Sequence, residues 1–227
     1  MTTHLTPALG AAVGAVAALL WGLLSAPAHA ATCAEGGPCR VGDTGPGGGT
    51  VFYVADTPRP WGRALEVAPA GWAGTVRDPK AWWCLAEEPE GADPDRPGSL
   101  TARVARFTAP AGIGRGRTNT RATVALCGEG SAAGLAAAYT GGGLSDWHLP
   151  AGAELAALYR ARASVPGGLT GLYWSSSKRA QRPGTREAFY GTATWQDFDW
   201  GDQGTTALEG MEVTGVRVRP IRRIPAA

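Results

Sequence analysis

Three aspartates, Asp197, Asp199 and Asp202, fall within the stretch Asp-Phe-Asp-Trp-Gly-Asp-Gln-Gly. Carboxylates at that density are the oxygen donors a hard cation such as calcium takes. An EF-hand loop starting at Asp197 would need a further donor at position 201 and a bidentate Glu at position 208. The chain has Gly201 and Leu208 there. The stretch therefore reads first as a hairpin bend, with Asp and Gly at the turn, and a weak calcium site stands as the alternative. Trp195 and Trp200 flank these carboxylates. An indole stacks on sugar rings through its face and donates through its N–H. In so polar a turn both are candidates for surface residues. Trp195, Trp200, Asp197, Asp199 and Asp202 together make a candidate ligand-binding loop.

Arginine supplies the second group of candidates. Arg115 and Arg117, with Arg121, cluster in a glycine-rich stretch, while Lys178, Arg179, Arg182 and Arg186 follow the run Ser175-Ser176-Ser177. Arg217 and Arg219 share one face of an extended segment by period two. Guanidinium forks suit carboxylate and sulfate groups, which adds Arg115 and Arg117 to the ligand-binding candidates. Solvated surface charge is the competing reading. A serine hydrolase is not indicated. No Gly-x-Ser-x-Gly elbow exists, and beyond position 30 the chain has His148 alone. His148 alternates with Trp147 and Leu149 and is expected to face outward from a strand. The serines are expected to bond to backbone groups in an irregular loop. No catalytic residue, metal ligand or cofactor is expected. The formal net charge of +2 points to neither nucleic acid nor membrane as a partner.

Residues 1–30 read as a signal peptide. An apolar run from Leu9 to Leu24 is followed by Ala28-His29-Ala30, which fits a signal peptidase cutting before Ala31. No span is expected after cleavage, and the mature protein is expected to be secreted or at the cell surface. Cys33, Cys39, Cys84 and Cys127 all lie beyond the cut, and an even number in an exported chain points to two bridges. The short Ala-Glu-Gly-Gly-Pro spacer favours Cys33–Cys39, leaving Cys84–Cys127. Lipidation of Cys33 is the alternative for that residue. The Cys spacings suit neither zinc nor a thioredoxin-type site.

Residues 31–44 form a short disulfide-bearing segment, and residues 45–224 read as one domain. Gly42 to Gly49 resembles a phosphate-binding loop but lacks the Gly-Lys-Ser/Thr ending. It runs into Thr50–Ala55, a β-branched and aromatic strand. Ala64–Pro69 reads as a second strand and Glu87–Gly98 as a solvated loop. Asn119 or Thr120 is placed to cap a helix running to Cys127, and Ser131 to cap one running to Tyr139. Leu155, Leu158 and Tyr159 share a helix face after Pro150. Strands are expected at Leu172–Ser176, Ala188–Thr194 and Glu212–Arg219. Trp147 and Trp174 are expected in the core, with one of Trp82 and Trp83 exposed.

Three segments in this order carry a family resemblance. They are Ser145-Asp146-Trp147-His148-Leu149-Pro150 with Glu154-Leu155, then Tyr173-Trp174-Ser175-Ser176-Ser177, then Val216-Arg217-Val218-Arg219-Pro220. With Gly45–Val54 they resemble the bacterial domain of unknown function DUF1566, also described as the Lcl C-terminal domain. The resemblance implies an α+β, C-type-lectin-like fold related to formylglycine-generating enzymes. It implies short irregular antiparallel sheets, two or three short helices and disulfide staples. The family commonly has Ser or Thr after the Leu-Pro, closing a capping box with Glu154. Ala151 breaks that box, which is worth roughly 1 kcal/mol. Formylglycine-generating enzymes act through a pair of reactive cysteines near the C-terminus, and this chain has no Cys after Cys127. C-type lectins bind sugar through calcium with Glu-Pro-Asn and Trp-Asn-Asp elements. Glu88-Pro89-Glu90 is only a superficial match, and Trp-Asn-Asp is absent.

These readings imply a secreted, non-enzymatic recognition or adhesion module of a bacterial envelope. Its partner would be an extracellular glycan, a polyanion or another envelope component. The rivals are a structural envelope protein with no small ligand and an enzyme using the Asp-rich turn.

Overall fold

The structure is a computed structural model that describes residues 1–2, 31–84, 93, 96–179, 192–207 and 215–226. The chain divides into two units, Met1–Ala30 and Ala31–Ala227. The apolar run Leu9–Leu24 lies outside the described residues. So do most of the loop expected at Glu87–Gly98, the start of the strand expected at Ala188, and Arg182, Arg186 and Leu208. No helix among the described residues is long and apolar enough to cross a membrane.

The second unit is α+β. β1 (Thr50–Arg59) and β2 (Gly62–Val67) form a hairpin, with β6 (Ile221–Ile224) antiparallel on the far edge of β2. β3 (Leu172–Arg179), β4 (Thr192–Asp197) and β5 (Gln203–Ala207) make a second antiparallel sheet in sequence order. The segment before β6 joins the two sheets. Arg217 bridges to Lys80 and to Tyr173, and Ile221 bridges to His148 while pairing with Val67. The start of the strand expected at Glu212–Arg219 lies outside the described residues; within its described part, residues 215–219 hold only the isolated bridges of Arg217, and the named strand is Ile221–Ile224. Val216 and Val218 are still extended, because their backbone groups pair with Ala81 and Pro79.

Helices α1 (Leu100–Arg106), α2 (Gly116–Cys127), α3 (Ala132–Ala137) and α4 (Gly152–Arg160) exceed the two or three expected. The unforeseen α1 is capped by Ser99, whose hydroxyl accepts from the Ala102 N–H at 3.0 Å. Ser131 caps α3 as expected, accepting from Gly134 N at 3.1 Å. α2 begins before its two expected caps, so Asn119 and Thr120 are buried inside it. Thr120 Oγ1 instead bonds Leu149 across the interior.

Both bridges expected from the sequence are formed, Cys33–Cys39 and Cys84–Cys127. The second closes a separation of 43 residues, worth about 4 kcal/mol in the chain-entropy account. It ties the end of α2 to the strand-like segment carrying Trp82 and Trp83. Trp83 is buried and Trp82 half-buried. Trp83, Trp147 and Trp174 are core residues, and each indole N–H is satisfied by a carbonyl. The acceptors are Ser175, Gly141 and Ala81, at 2.8, 3.0 and 2.9 Å. Leu155 and Leu158 bury one face of α4 against Phe52, Leu65, Tyr173 and Ile221.

The start of α4 shows how the lost cap is replaced. Glu154 keeps its half of the box, accepting from Ala151 N at 2.7 Å, and also takes Gly114 N at 2.8 Å. The free N–H groups of Gly152 and Ala153 find tertiary acceptors in Ser177 Oγ at 2.9 Å and Ala111 O at 2.7 Å. The N–H groups of Ala151, Gly152 and Ala153 are thus bonded without a Ser or Thr at position 151.

Candidate functional site

Buried charge organises the loops around the two sheets. The glycine-rich loop before β1 is a nest of backbone N–H groups, the arrangement that holds anions. Its anion is internal. The Glu66 carboxylate, fully buried on β2, accepts from Gly47 N at 3.1 Å and Gly49 N at 3.2 Å. A side chain at position 47 has no room, because a Cβ there would lie 2.6 Å from Trp147 Cζ2. Glu66 also pairs with Arg222 at 2.9 Å, and Arg222 bonds Asp146 through its Nε. The phosphate-loop likeness of Gly42–Gly49 is therefore filled from within.

A second carboxylate, Asp78, gathers three donors. Trp72 Nε1 donates at 3.1 Å, Tyr173 OH at 2.7 Å and Arg219 Nε at 2.6 Å. Burial, with the Asp78 charge beside it, pushes the Tyr173 phenol well above its ordinary range. Arg219, a candidate for outward recognition by its spacing with Arg217, is buried in this network. Arg217 turns instead to the Thr170 carbonyl.

The proposed aromatic-acidic loop is the turn between β4 and β5, as a hairpin reading requires. The structure divides its members. The Asp197 carboxylate accepts from the N–H groups of Asp199 and Trp200 at 2.7 and 3.1 Å, and Asp199 accepts from Gly171 N at 3.0 Å. Two of the three carboxylates thus fix the turn itself, while Asp202 is exposed. From inside, the buried Gln196 amide donates to the carbonyls of Asp197, Gly201 and Asp202. Among the described residues no group of three or more His, Cys, Asp or Glu side chains is placed to hold a metal ion. Trp200 stands out from the turn, 83% exposed. Trp195 does not join it. It sits within β4 opposite Trp174, packs against the core and covers Gly204 of β5. Trp195→Ala is therefore expected to cost about 3 kcal/mol, and Trp200→Ala less than about 0.5 kcal/mol. Urea titration of both variants checks this, and equal losses would refute the division.

Arg115 precedes α2 and is exposed, whereas Arg117 and Arg121 border a cavity of about 310 Å³ with Asp146 and His148. His148 is not the outward-facing residue expected from alternation. Trp147, His148 and Leu149 are all buried. Its Nδ1 faces the Asp146 carbonyl at 3.2 Å, and its Nε2 has no partner. Burial pulls its pKa down to about 3, so the ring is neutral at pH 7. The start of α2 at Gly116 and the charges of Arg117 and Arg223, rather than Ser175–Ser177, lie about the ring. The three serines lie in β3, not in an irregular loop. Ser177 does bond backbone, accepting from Gly152 N and donating to Pro110 O.

A larger cleft, of about 710 Å³, opens between residues 108–111, the end of β3, and β4–β5. Ser177, Lys178, Arg179, Thr194, Gln203 and Thr205 line it. Gln203 donates its amide to Gly152 O at 2.8 Å, which fixes the side chain and leaves its carbonyl oxygen without a donor among the described residues. Lys178 is 2% exposed, and its Nζ donates to the carbonyls of Phe107 and Arg179 at 3.2 and 3.3 Å. Desolvation lowers its pKa to about 8. Lys178 and Arg179, expected among basic residues after the Ser run, instead lie in β3. The sequence signal for this is the continuation of the β-rich Tyr-Trp-Ser-Ser-Ser run through position 178.

Fold and site together define a disulfide-stapled α+β domain with a cleft whose lining includes hydroxyl, amide and basic residues. Comparison with known proteins finds no matching family model, no matching curated protein and no matching solved structure.

Proposed function

We propose that this chain is a secreted, non-enzymatic recognition module of the DUF1566 or C-type-lectin-like kind, which binds an extracellular glycan in the cleft beside β3–β5. The observation that carries the reading is the cleft's chemistry. Hydroxyls, an oriented amide and cations line a volume within the roughly 300–1,000 Å³ range of small-ligand sites. Two disulfides support an oxidising compartment. The Leu-Pro helix, anchored by Glu154, supports the family resemblance. Held from behind by the bonds of Ser177 and Gln203 to Gly152, the cleft is preorganised, which lowers the cost of binding.

A glycan array, read with and without EDTA, tests this. The expected result is binding that survives EDTA, because no carboxylate lines the cleft among the described residues. Binding abolished by EDTA would move the site to the Asp-rich turn. No binding to any glycan would favour a purely structural envelope protein.

A further inference from the structure

We propose that the cavity between α2 and the Ser145–His148 segment binds a free apolar α-amino acid, its carboxylate meeting Arg117 and Arg121 and its ammonium meeting Asp146 and His148. This site is separate from the cleft beside β3–β5 and does not depend on what that cleft binds. The argument starts from the arginines. Arg219 is paired with Asp78, and Arg222 with Glu66 and Asp146. Arg117 and Arg121 border the cavity of about 310 Å³, and neither forms an ion pair or a side-chain hydrogen bond among the described residues. At i and i+4 they are neighbours on one face of α2, and Arg117 is half-buried. Two guanidinium forks so placed, in the opening turns of a helix, suit one carboxylate.

The cavity also holds acceptors, which a simple anion would leave unmatched. His148 is 1% exposed. Its Nδ1 lies 3.2 Å from the Asp146 carbonyl, which can only accept. In the neutral ring Nδ1 therefore carries the hydrogen, and Nε2 is a bare acceptor. Nε2 has no partner. The ring borders the cavity, and the edge bearing Nε2 is turned towards the start of α2, since a Cβ on Gly116 would lie 2.8 Å from His148 Cδ2. The Asp146 carboxylate gives one oxygen to Arg222, and its other oxygen has no donor among the described residues. An ammonium is all donor and no acceptor, so it matches both Nε2 and that oxygen. Thr120 offers nothing further, because its hydroxyl is already bonded to Leu149. The remaining wall includes Val124, Ala125, Ala137 and Trp147, and the Trp147 N–H is spent on Gly141. A charged side chain placed there would lose its water without a partner, so the wall selects a short aliphatic one. The volume lies at the low end of the roughly 300–1,000 Å³ range of small-ligand sites and suits one amino acid rather than a peptide.

The test is calorimetric titration of the full chain at pH 7 with leucine, leucinamide, N-acetyl-leucine, glutamate and acetate. Leucine is expected to bind saturably. Leucinamide lacks the carboxylate and N-acetyl-leucine lacks the ammonium, and each should bind at least about tenfold more weakly, the typical contribution of a charged hydrogen bond. Glutamate and acetate should bind at least about tenfold more weakly as well. Two variants locate the site. Arg121→Gln, at an exposed helix position, should weaken leucine binding by about tenfold or more while leaving the urea midpoint unchanged. Ala137→Leu, which fills the apolar wall, should abolish leucine binding, with near-ultraviolet circular dichroism confirming the fold. Absence of leucine binding overturns the proposal. So does equal binding of leucine and its two blocked forms, which would describe an unselective apolar hole, and so does acetate binding as tightly as leucine, which would describe an anion site alone. Leucine binding untouched by Arg121→Gln overturns the assignment of the carboxylate. If Ala137→Leu unfolds, the blocked ligands and Arg121→Gln decide. Glycan binding in the other cleft should be the same in Arg121→Gln as in wild type, so the two sites fail or stand separately.

Discussion

Asp78→Ala is expected to destabilise the domain by about 3–5 kcal/mol, as removal of one partner from a buried ion pair does. The substitution strands three donors at once: the Arg219 guanidinium, the Tyr173 hydroxyl and the Trp72 indole N–H. Arg219 suffers most, because its side chain is 3% exposed and its remaining bond is to the Ala68 carbonyl. The loss is not the worth of the pair. Replacing both partners, in Asp78→Ala with Arg219→Met, should recover a large part of the stability, since an apolar pair needs no desolvation. Tyr173→Phe should cost only about 1 kcal/mol, the value of one hydrogen bond. Urea unfolding of the single and double variants at pH 7 measures each step. A loss under about 1 kcal/mol for Asp78→Ala, or a double variant no better than the single, would show that this network does not hold the sheets together.

That network also marks the limit of what the sequence discloses. Cys33–Cys39 was legible because the spacer between them is short, and pairing by remainder then gave Cys84–Cys127. The Leu155–Leu158 face followed from helical periodicity, and the buried Trp147 and Trp174 from their places in the segments that carry the family resemblance, flanked by strand residues. Periodicity is a local signal. Arg219 meets Asp78 across 141 positions and Arg222 meets Glu66 across 156, and no local pattern separates such an arginine from one in solvent. Trp195 misled for the same reason. Its chain neighbours are polar, but its cross-strand partner is the buried Trp174. Trp200, five residues on, has no strand partner and stays in solvent. Lys178 was visible as a basic residue, but its burial depends on the segment at Ala109 pairing with β3, a contact made through the tertiary fold. The glycine loop was legible as a turn into β1. Its bound carboxylate was not, because Glu66 lies on β2, 19 residues along the chain from Gly47, and is brought back to the loop only by the β1–β2 hairpin.

Acidification should unfold the domain through His148. The ring is buried, and desolvation lowers its pKa from 6.5 to about 3. Between those values the unfolded chain binds a proton that the folded chain refuses, so stability falls as pH falls and is retained above about pH 6.5. At up to about 1.4 kcal/mol per pH unit, the descent from pH 6.5 to 4.5 costs about 2 kcal/mol from this residue alone. The surrounding charges work in both directions. Arg223 and Arg117 oppose protonation, while Asp146 favours it through its carbonyl and carboxylate. Glu154, nearby, has a raised pKa because burial outweighs its backbone bonds. Its protonation favours the fold in acid and partly offsets the histidine. A variant that removes only the imidazole separates the two. His148→Gln should lower stability at pH 7, since the side chain is buried, but its stability should change far less between pH 6.5 and 4.5 than that of the wild type. Denaturant titrations at pH 7.0, 6.0, 5.0 and 4.5 give both curves. Parallel curves would assign the acid sensitivity to the carboxylates. A flattened curve for His148→Gln would establish that one unprotonated ring, enclosed between Asp146 and the start of α2, sets the lower pH limit of the folded protein.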